Sequence, residues 1–210
     1  MLREFCAENL TNVREAILAG ADRIELCDDL SVGGITPSNA VIAEAVTLIQ
    51  GLGAKVMVMV RPRGGDFTYG EDELSTMEKA IATARAAAAD GVVFGCVREG
   101  QLDEAATRRL ADAAHGLDMT FHMAFDEIDA PLQPAALQRL SEMGVFRVLT
   151  HGGPLSAPID ACLPHLRELV SAAGDSIRIM PGGGVTWENA ERISTDLGVS
   201  EVHGTRIVTW

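Results

Sequence analysis

Val56-Met57-Val58-Met59-Val60 runs directly into Arg61-Pro62-Arg63-Gly64-Gly65-Asp66, so an apolar segment of strand length empties into a loop with two guanidinium groups, a carboxylate and two glycines. Polar and apolar residues do not alternate along the run, which is the pattern of a parallel strand covered on both faces. Pro62 has no N–H for a ladder and closes the strand. Beyond it, Gly64 and Gly65 permit backbone conformations that other residues avoid. Arg61 and Arg63 offer planar forks suited to a carboxylate or phosphate and are anion-binding candidates. The structural alternative is that they pair with neighbouring carboxylates.

Outward from this stretch the same unit recurs. Strands are expected at residues 2–7, 23–27, 56–60, 92–95, 119–125, 147–150, 177–180 and 201–204. Helices fall between them: one capped by Asn9 and ending at Gly20, one with Pro37 in its first turn, and others over 71–89, 103–115, 133–143, 159–173 and 186–197. Eight strands alternating with helices, without a linker or a break in composition, predict a (β/α)8 TIM barrel forming a single domain over residues 1–210. An open doubly wound sheet is the runner-up, but no GxGxxG turn follows the first strand. Only six residues follow Gly204, so the eighth helix is expected to be short or missing, and a neighbouring subunit would cover the gap.

The chain has 210 residues, 47% of them hydrophobic, and a formal net charge of -13. That acidity argues against a nucleic-acid partner, which needs a basic face. No apolar run reaches the ~20 residues of a membrane span, and the N-terminus lacks the apolar core of a signal peptide. A cytosolic protein is expected. Cys6, Cys27, Cys96 and Cys162 are too few and too scattered for a disulfide framework, so they read as core residues or soft metal ligands.

In such barrels, chemistry gathers at the C-terminal ends of the strands. Three constellations stand there. Cys6 and Cys27, with Met57 or Met59 nearby, have the thiolate and thioether chemistry that favours Cu(I), although cysteine and methionine also fill cores. The Pro181-Gly182-Gly183-Gly184 turn together with His203-Gly204-Thr205-Arg206, at the exits of strands seven and eight, suits a phosphate or other anion, or else simply a tight turn. Glu25, His122 and Asp126, with His151 or His203, are candidate catalytic acid and base groups, or hydrogen-bonded core residues.

Eight motifs in chain order then carry a resemblance. They are Phe5-Cys6-Ala7-Glu8-Asn9, the stretch from Ala21 to Asp28, Gly33-Gly34-Ile35-Thr36-Pro37-Ser38, Arg61 to Phe67, Asp90 to Gly95, Phe121 to Asp126, Met180 to Val185, and Val202-His203-Gly204. Together they resemble the CutC family over nearly the whole chain. The resemblance implies a cytosolic, usually self-associating TIM barrel concerned with copper homeostasis, and Cu(I) bound through cysteines, here Cys6 and Cys27. It also marks departures: the family usually carries arginine where Met123 stands, and commonly serine where His151 stands. Two functions follow as expectations. One is a Cu(I)-binding copper-homeostasis protein. The other is an enzyme acting on a small phosphorylated or anionic metabolite.

Overall fold

The computed structural model describes residues 1–210. Its eight barrel strands are β1 (Leu2–Glu8), β2 (Arg23–Cys27), β3 (Lys55–Met59), β4 (Gly91–Phe94), β5 (Asp118–Phe121), β6 (Arg147–Thr150), β7 (Arg178–Pro181) and β8 (Glu201–Gly204). They pair in parallel in the order β8-β1-β2-β3-β4-β5-β6-β7. Between β7 and β8 there is no ladder. A single parallel bridge, Thr186 to Arg206, and the ion pair from Arg178 to Glu201 (2.9 Å) draw the seam together. The result is a nearly closed (β/α)8-type barrel.

Seven helices surround it: α1 (Val13–Leu18), α2 (Asn39–Gly51), α3 (Glu71–Ala86), α4 (Glu104–Ala113), α5 (Gln133–Glu142), α6 (Ile159–Ala173) and α7 (Ala190–Leu197). Residues 205–210, after β8, form no helix. The last residues instead lay Ile207 and Val208 into the core, and Trp210 meets Phe5 edge-on with ring centroids 5.9 Å apart.

Side chains alternate across each strand, and the two faces have different chemistry. The outer face (Phe5, Ala7, Ile24, Leu26, Val56, Val58, Val92, Val148, Ile179, Val202) joins the helices in one apolar core. Met57, Met59 and Val93 face the lumen, packed with Cys6 and Cys27 in a separate small cluster. The run around Val58 is therefore apolar because both of its faces are covered. Gly91 belongs to the same layer: a Cβ there would stand 2.7 Å from Met57 Sδ and 2.4 Å from the Asp118 carbonyl, so only glycine lets β4 and β5 close over Met57.

The remaining lumen is charged. Register places Glu4 opposite both Arg23 and His203. The Arg23 Nε donates to Glu4, and its Nη2 donates to Glu201 (2.7 Å). Arg147 Nε donates to the same Glu201 oxygen (3.0 Å), while its Nη1 donates to Thr120 (2.9 Å). At the upper end His203 Nδ1 lies 2.8 Å from Glu4 Oε1. Opposite charges thus alternate up the barrel: Arg147, Glu201, Arg23, Glu4, His203. Burial alone would raise the Glu4 carboxyl, but Arg23 and His203 outweigh it and hold it at about 2.

Several boundaries differ from expectation, each for a local reason. β1 runs on to Glu8, so α1 starts only at Val13, and Asn9 caps nothing; its Nδ2 donates to Asp28 (2.9 Å). Ser38, not Pro37, opens α2 by accepting from Val41 N–H (3.3 Å). β5 stops at Phe121, because His122 accepts the Ala124 N–H and starts a 3-10 turn over Met123–Glu127. α7 begins at Ala190 rather than Thr186, whose backbone is engaged with Asn189 and Arg206. A small hairpin, Val97–Arg98 with Gln101–Leu102, turns through Glu99 and Gly100, both in the left-handed region.

Two outcomes follow for stability. Arg23→Met leaves Glu4 and Glu201 buried without their shared cation, and urea unfolding should show a loss of about 3–5 kcal/mol. Because the folded Glu4 is held down, its contribution is complete above about 4.5 and is lost as pH falls toward about 2. Glu4→Gln should flatten the acid limb of the stability profile in that window; an unchanged limb would contradict this.

Candidate metal centre

Cys6 and Cys27 come from adjacent strands at the upper end of the barrel. Parallel register sets Cys6 beside Glu25 and Glu8 beside Cys27, so the inward-facing residues Cys6, Glu25 and Cys27 form a triangle. One ligand atom from each lies within 4.8 Å of the others. The Cys27 thiol donates to Glu25 Oε1 (3.3 Å), and Cys6 Sγ is 3.8 Å from the same oxygen. All three are buried, Cys27 completely and Cys6 at 7% exposure. Met57 and Met59 pack against the thiols from the β3 side.

The electrostatics single out Cys6. The neighbouring Cys27 thiol, aided by His203, outweighs burial and lowers the Cys6 thiol to about 5. The proximity of Cys6, with burial and Glu25, drives Cys27 well above the ordinary thiol range. Burial raises the Glu25 carboxyl to about 8; its Oε2 has no hydrogen-bond partner. His203 lies beneath a desolvation penalty, but Glu25, Cys6 and Glu4 outweigh it and push the ring well above its usual value. The charge ladder therefore ends in an imidazolium beside a thiolate. A thiolate, a second thiol and two thioethers form a soft donor set that fits Cu(I).

The other expected site residues fall into separate networks. Arg61 is buried, and its guanidinium donates to the carbonyls of Val32 (2.9 Å), Gly34 (3.0 Å) and Gly65 (2.8 Å), clamping two loops, with Nε left unpaired. Arg63 is spent on Glu73 (2.6 Å), Asp66 and the Thr68 carbonyl at the surface. Burial, with Arg61 nearby, lowers His122 to about 3, so it is neutral. Its Nδ1 accepts from Ala124, and its buried Nε2 has no partner. Asp126 accepts from Thr150 Oγ1 (2.5 Å) and from the N–H groups of His151 and Gly152, tying down the loop after β6; burial raises its carboxyl. No hydrogen bond joins Glu25 to His122 or Asp126.

Gly183, Gly184 and Gly204 do reach the mouth, where they line a cavity of about 260 Å³ with Cys6 and His203. Gly182 stands at its edge, packed so that a Cβ would lie 3.3 Å from His203. Glu4 was not among the expected site residues, and His203, expected as an acid or base group or beside the anion turn, instead pairs with Glu4 and stands beside Cys6. Their signal was a charged or imidazole side chain two positions from a cysteine or within a short strand, on the lumen face.

A barrel whose lumen ends in two thiols and an imidazole under an open mouth belongs among TIM barrels built to hold something at the C-terminal rim. Comparison gives the family: the CutC family model matches residues 1–208, and the chain belongs to that family. It is 47% identical to a CutC family protein of Enterococcus faecalis, covering 99% of this chain and all of the relative. It is 41% identical to the human copper homeostasis protein cutC homolog, over 96% of this chain and 72% of the relative. The crystal structure of CutC from Streptococcus agalactiae superposes with a TM-score of 0.96 at 44% identity, covering 99% and 100% of the two chains. A deoxyribose-phosphate aldolase from Aeropyrum pernix, at 14% identity and a TM-score of 0.69, covers 98% of this chain and 85% of its own; it shares the fold alone.

Alkylation with iodoacetamide checks the thiol assignment. Cys6 should react with a rate that is flat near neutrality and falls only as pH drops through about 5, while Cys27 stays unmodified. His203→Gln should move the Cys6 profile upward. An ordinary thiol profile at Cys6 in the unsubstituted protein would contradict the arrangement.

Proposed function

We propose that the protein binds Cu(I) through Cys6 and Cys27 and serves copper homeostasis in the cytosol. The observation that carries this reading is the convergence of the two sulfurs with Glu25 inside the barrel, each ligand atom within 4.8 Å of the others. Thiolates are the ligands that select a soft monovalent ion, and Met57 and Met59 supply further sulfur beside them. Glu25 and His203 act as positioning residues: they hold the thiols and set how readily each gives up its proton. The copper homeostasis named for the human relative agrees with this chemistry. Four free, buried cysteines suit a reducing compartment. We extend the reading to self-association, in which a second copy covers Trp210, 60% exposed where an eighth helix would lie.

The enzymatic alternative, with Glu25, His122 and Asp126 exchanging protons, has less support. These groups are engaged in three separate networks, and neutral His122 has no acidic or basic neighbour within hydrogen-bond reach in those networks.

Anaerobic titration against a chromophoric Cu(I) chelator tests the proposal. The protein should take up one Cu(I), and Cys6→Ser and Cys27→Ser should each abolish competition, with Cys96→Ser as an unaffected control. Glu25→Gln should weaken binding by about 10–100-fold, the usual effect of removing a group that orients a ligand. Unchanged affinity in both ligand-cysteine variants would reject the assignment.

A further inference from the structure

The mouth cavity is lined by twelve residues, and none of them is a carboxylate. That is unexpected in a chain with 30 acidic residues and a net charge of -13. The basic side chains among its lining residues are His203 and Arg206. Arg206 is exposed and forms no salt bridge; the same holds for the exposed Arg14, Arg85, Arg108 and Arg167, but of these five only Arg206 lines the cavity.

The main chain adds donors. Gly182 N–H is used by Thr150 and Thr186 N–H by Asn189, but those of Gly183 and Gly184 between them have no acceptor in the protein. Sterics alone require glycine at Gly183, where φ is 70° and a Cβ would stand 2.7 Å from His151 Nδ1. The turn is therefore explained without a ligand. The unspent N–H groups, the unpaired guanidinium and the exclusion of acidic residues from one cavity are not.

We propose that this cavity binds a small anion bearing a phosphate or carboxylate group, held by Arg206 and the N–H groups of Gly183 and Gly184, in the space that Cys6 also lines. At about 260 Å³ the space is below the ~300 Å³ at which drug-sized pockets begin, so the occupant is small. Cys6 forms part of the cavity surface while Cys27 is fully buried behind it. An anion seated here stands between solvent and the thiol pair. The site goes beyond the copper reading and does not depend on it.

The test uses reduced, metal-free protein, so that its outcome is separate from Cu(I) binding. Inorganic phosphate and malonate are each titrated by calorimetry into the unsubstituted protein, Arg206→Ala and Arg206→Lys, and Cys6 alkylation is followed by mass spectrometry in parallel. At least one of the two anions should bind and protect Cys6, phosphate alone assigning a phosphoryl group and malonate alone a carboxylate. Arg206→Ala should weaken binding by about tenfold or more and remove the protection, the loss expected for a charge-assisted hydrogen bond. Arg206→Lys should restore part of both. Arg206 is exposed, so its replacement leaves the fold intact, which circular dichroism verifies. Absence of binding by both anions, or equal binding and protection in Arg206→Ala, would overturn the proposal.

Discussion

Arg23 is the residue on which the interior depends. It stands in the lumen between Glu4 and Glu201, and its Nη2 also lies 3.1 Å from Met180 Sδ. Most TIM barrels fill this space with layers of branched apolar side chains. Here apolar side chains fill only part of the lumen, with Met57, Met59 and Val93 on the β3 and β4 side and Leu149 and Met180 on β6 and β7. The rest holds five charged groups in alternating sign. Taking such charges out of water is costly, and the cost is recovered only if geometry and additional hydrogen bonds satisfy every member. Glu201 does so by accepting from Arg23, Arg147 and Arg178 together. A ladder of this kind is weak evidence for stability but strong for a fixed arrangement, since losing one rung strands its neighbours.

What the ladder holds in place is the chemistry at its top. Glu4 orients His203 through Nδ1 and keeps the ring charged; the charged ring in turn stabilises Cys6 as a thiolate. Glu25, its carboxyl raised by burial, sits between the two sulfurs, with both thiols directed at one of its oxygens. Two thiols so close would otherwise share their protons indifferently. The field of the lumen breaks that symmetry, lowering the thiol nearer the mouth and raising the deeper one.

The fold was readable because the outer face of each strand is apolar and the intervening helices are ordinary in length; only end positions moved, where a side chain such as His122 or Ser38 captured a backbone N–H. Cys6 and Cys27 were readable as a pair because both lie on the inward parity of neighbouring strands. Glu4 was harder to see, since its role depends on a register that sets it opposite Arg23 and His203 at once, and no local pattern encodes that. Arg61 misleads for a different reason. A guanidinium beside two glycines has the same local appearance whether its donors face a ligand or, as here, the carbonyls of Val32, Gly34 and Gly65. Arg206 is the opposite case: it stands beside the glycine turn in the expected anion constellation, and in the fold it lines the mouth cavity without a salt-bridge partner. The Glu99-Gly100 turn also went unread, because the hairpin it makes is only two residues deep on each side.

The central claim is that the charge ladder of the lumen presents Cys6 and Cys27 together as a soft-metal pair. X-ray absorption on the protein loaded anaerobically with one equivalent of Cu(I) addresses it most directly. A first shell made of sulfur, reduced by one scatterer in Cys27→Ser, is the result this account predicts. A first shell of nitrogen and oxygen in the unsubstituted protein would contradict it.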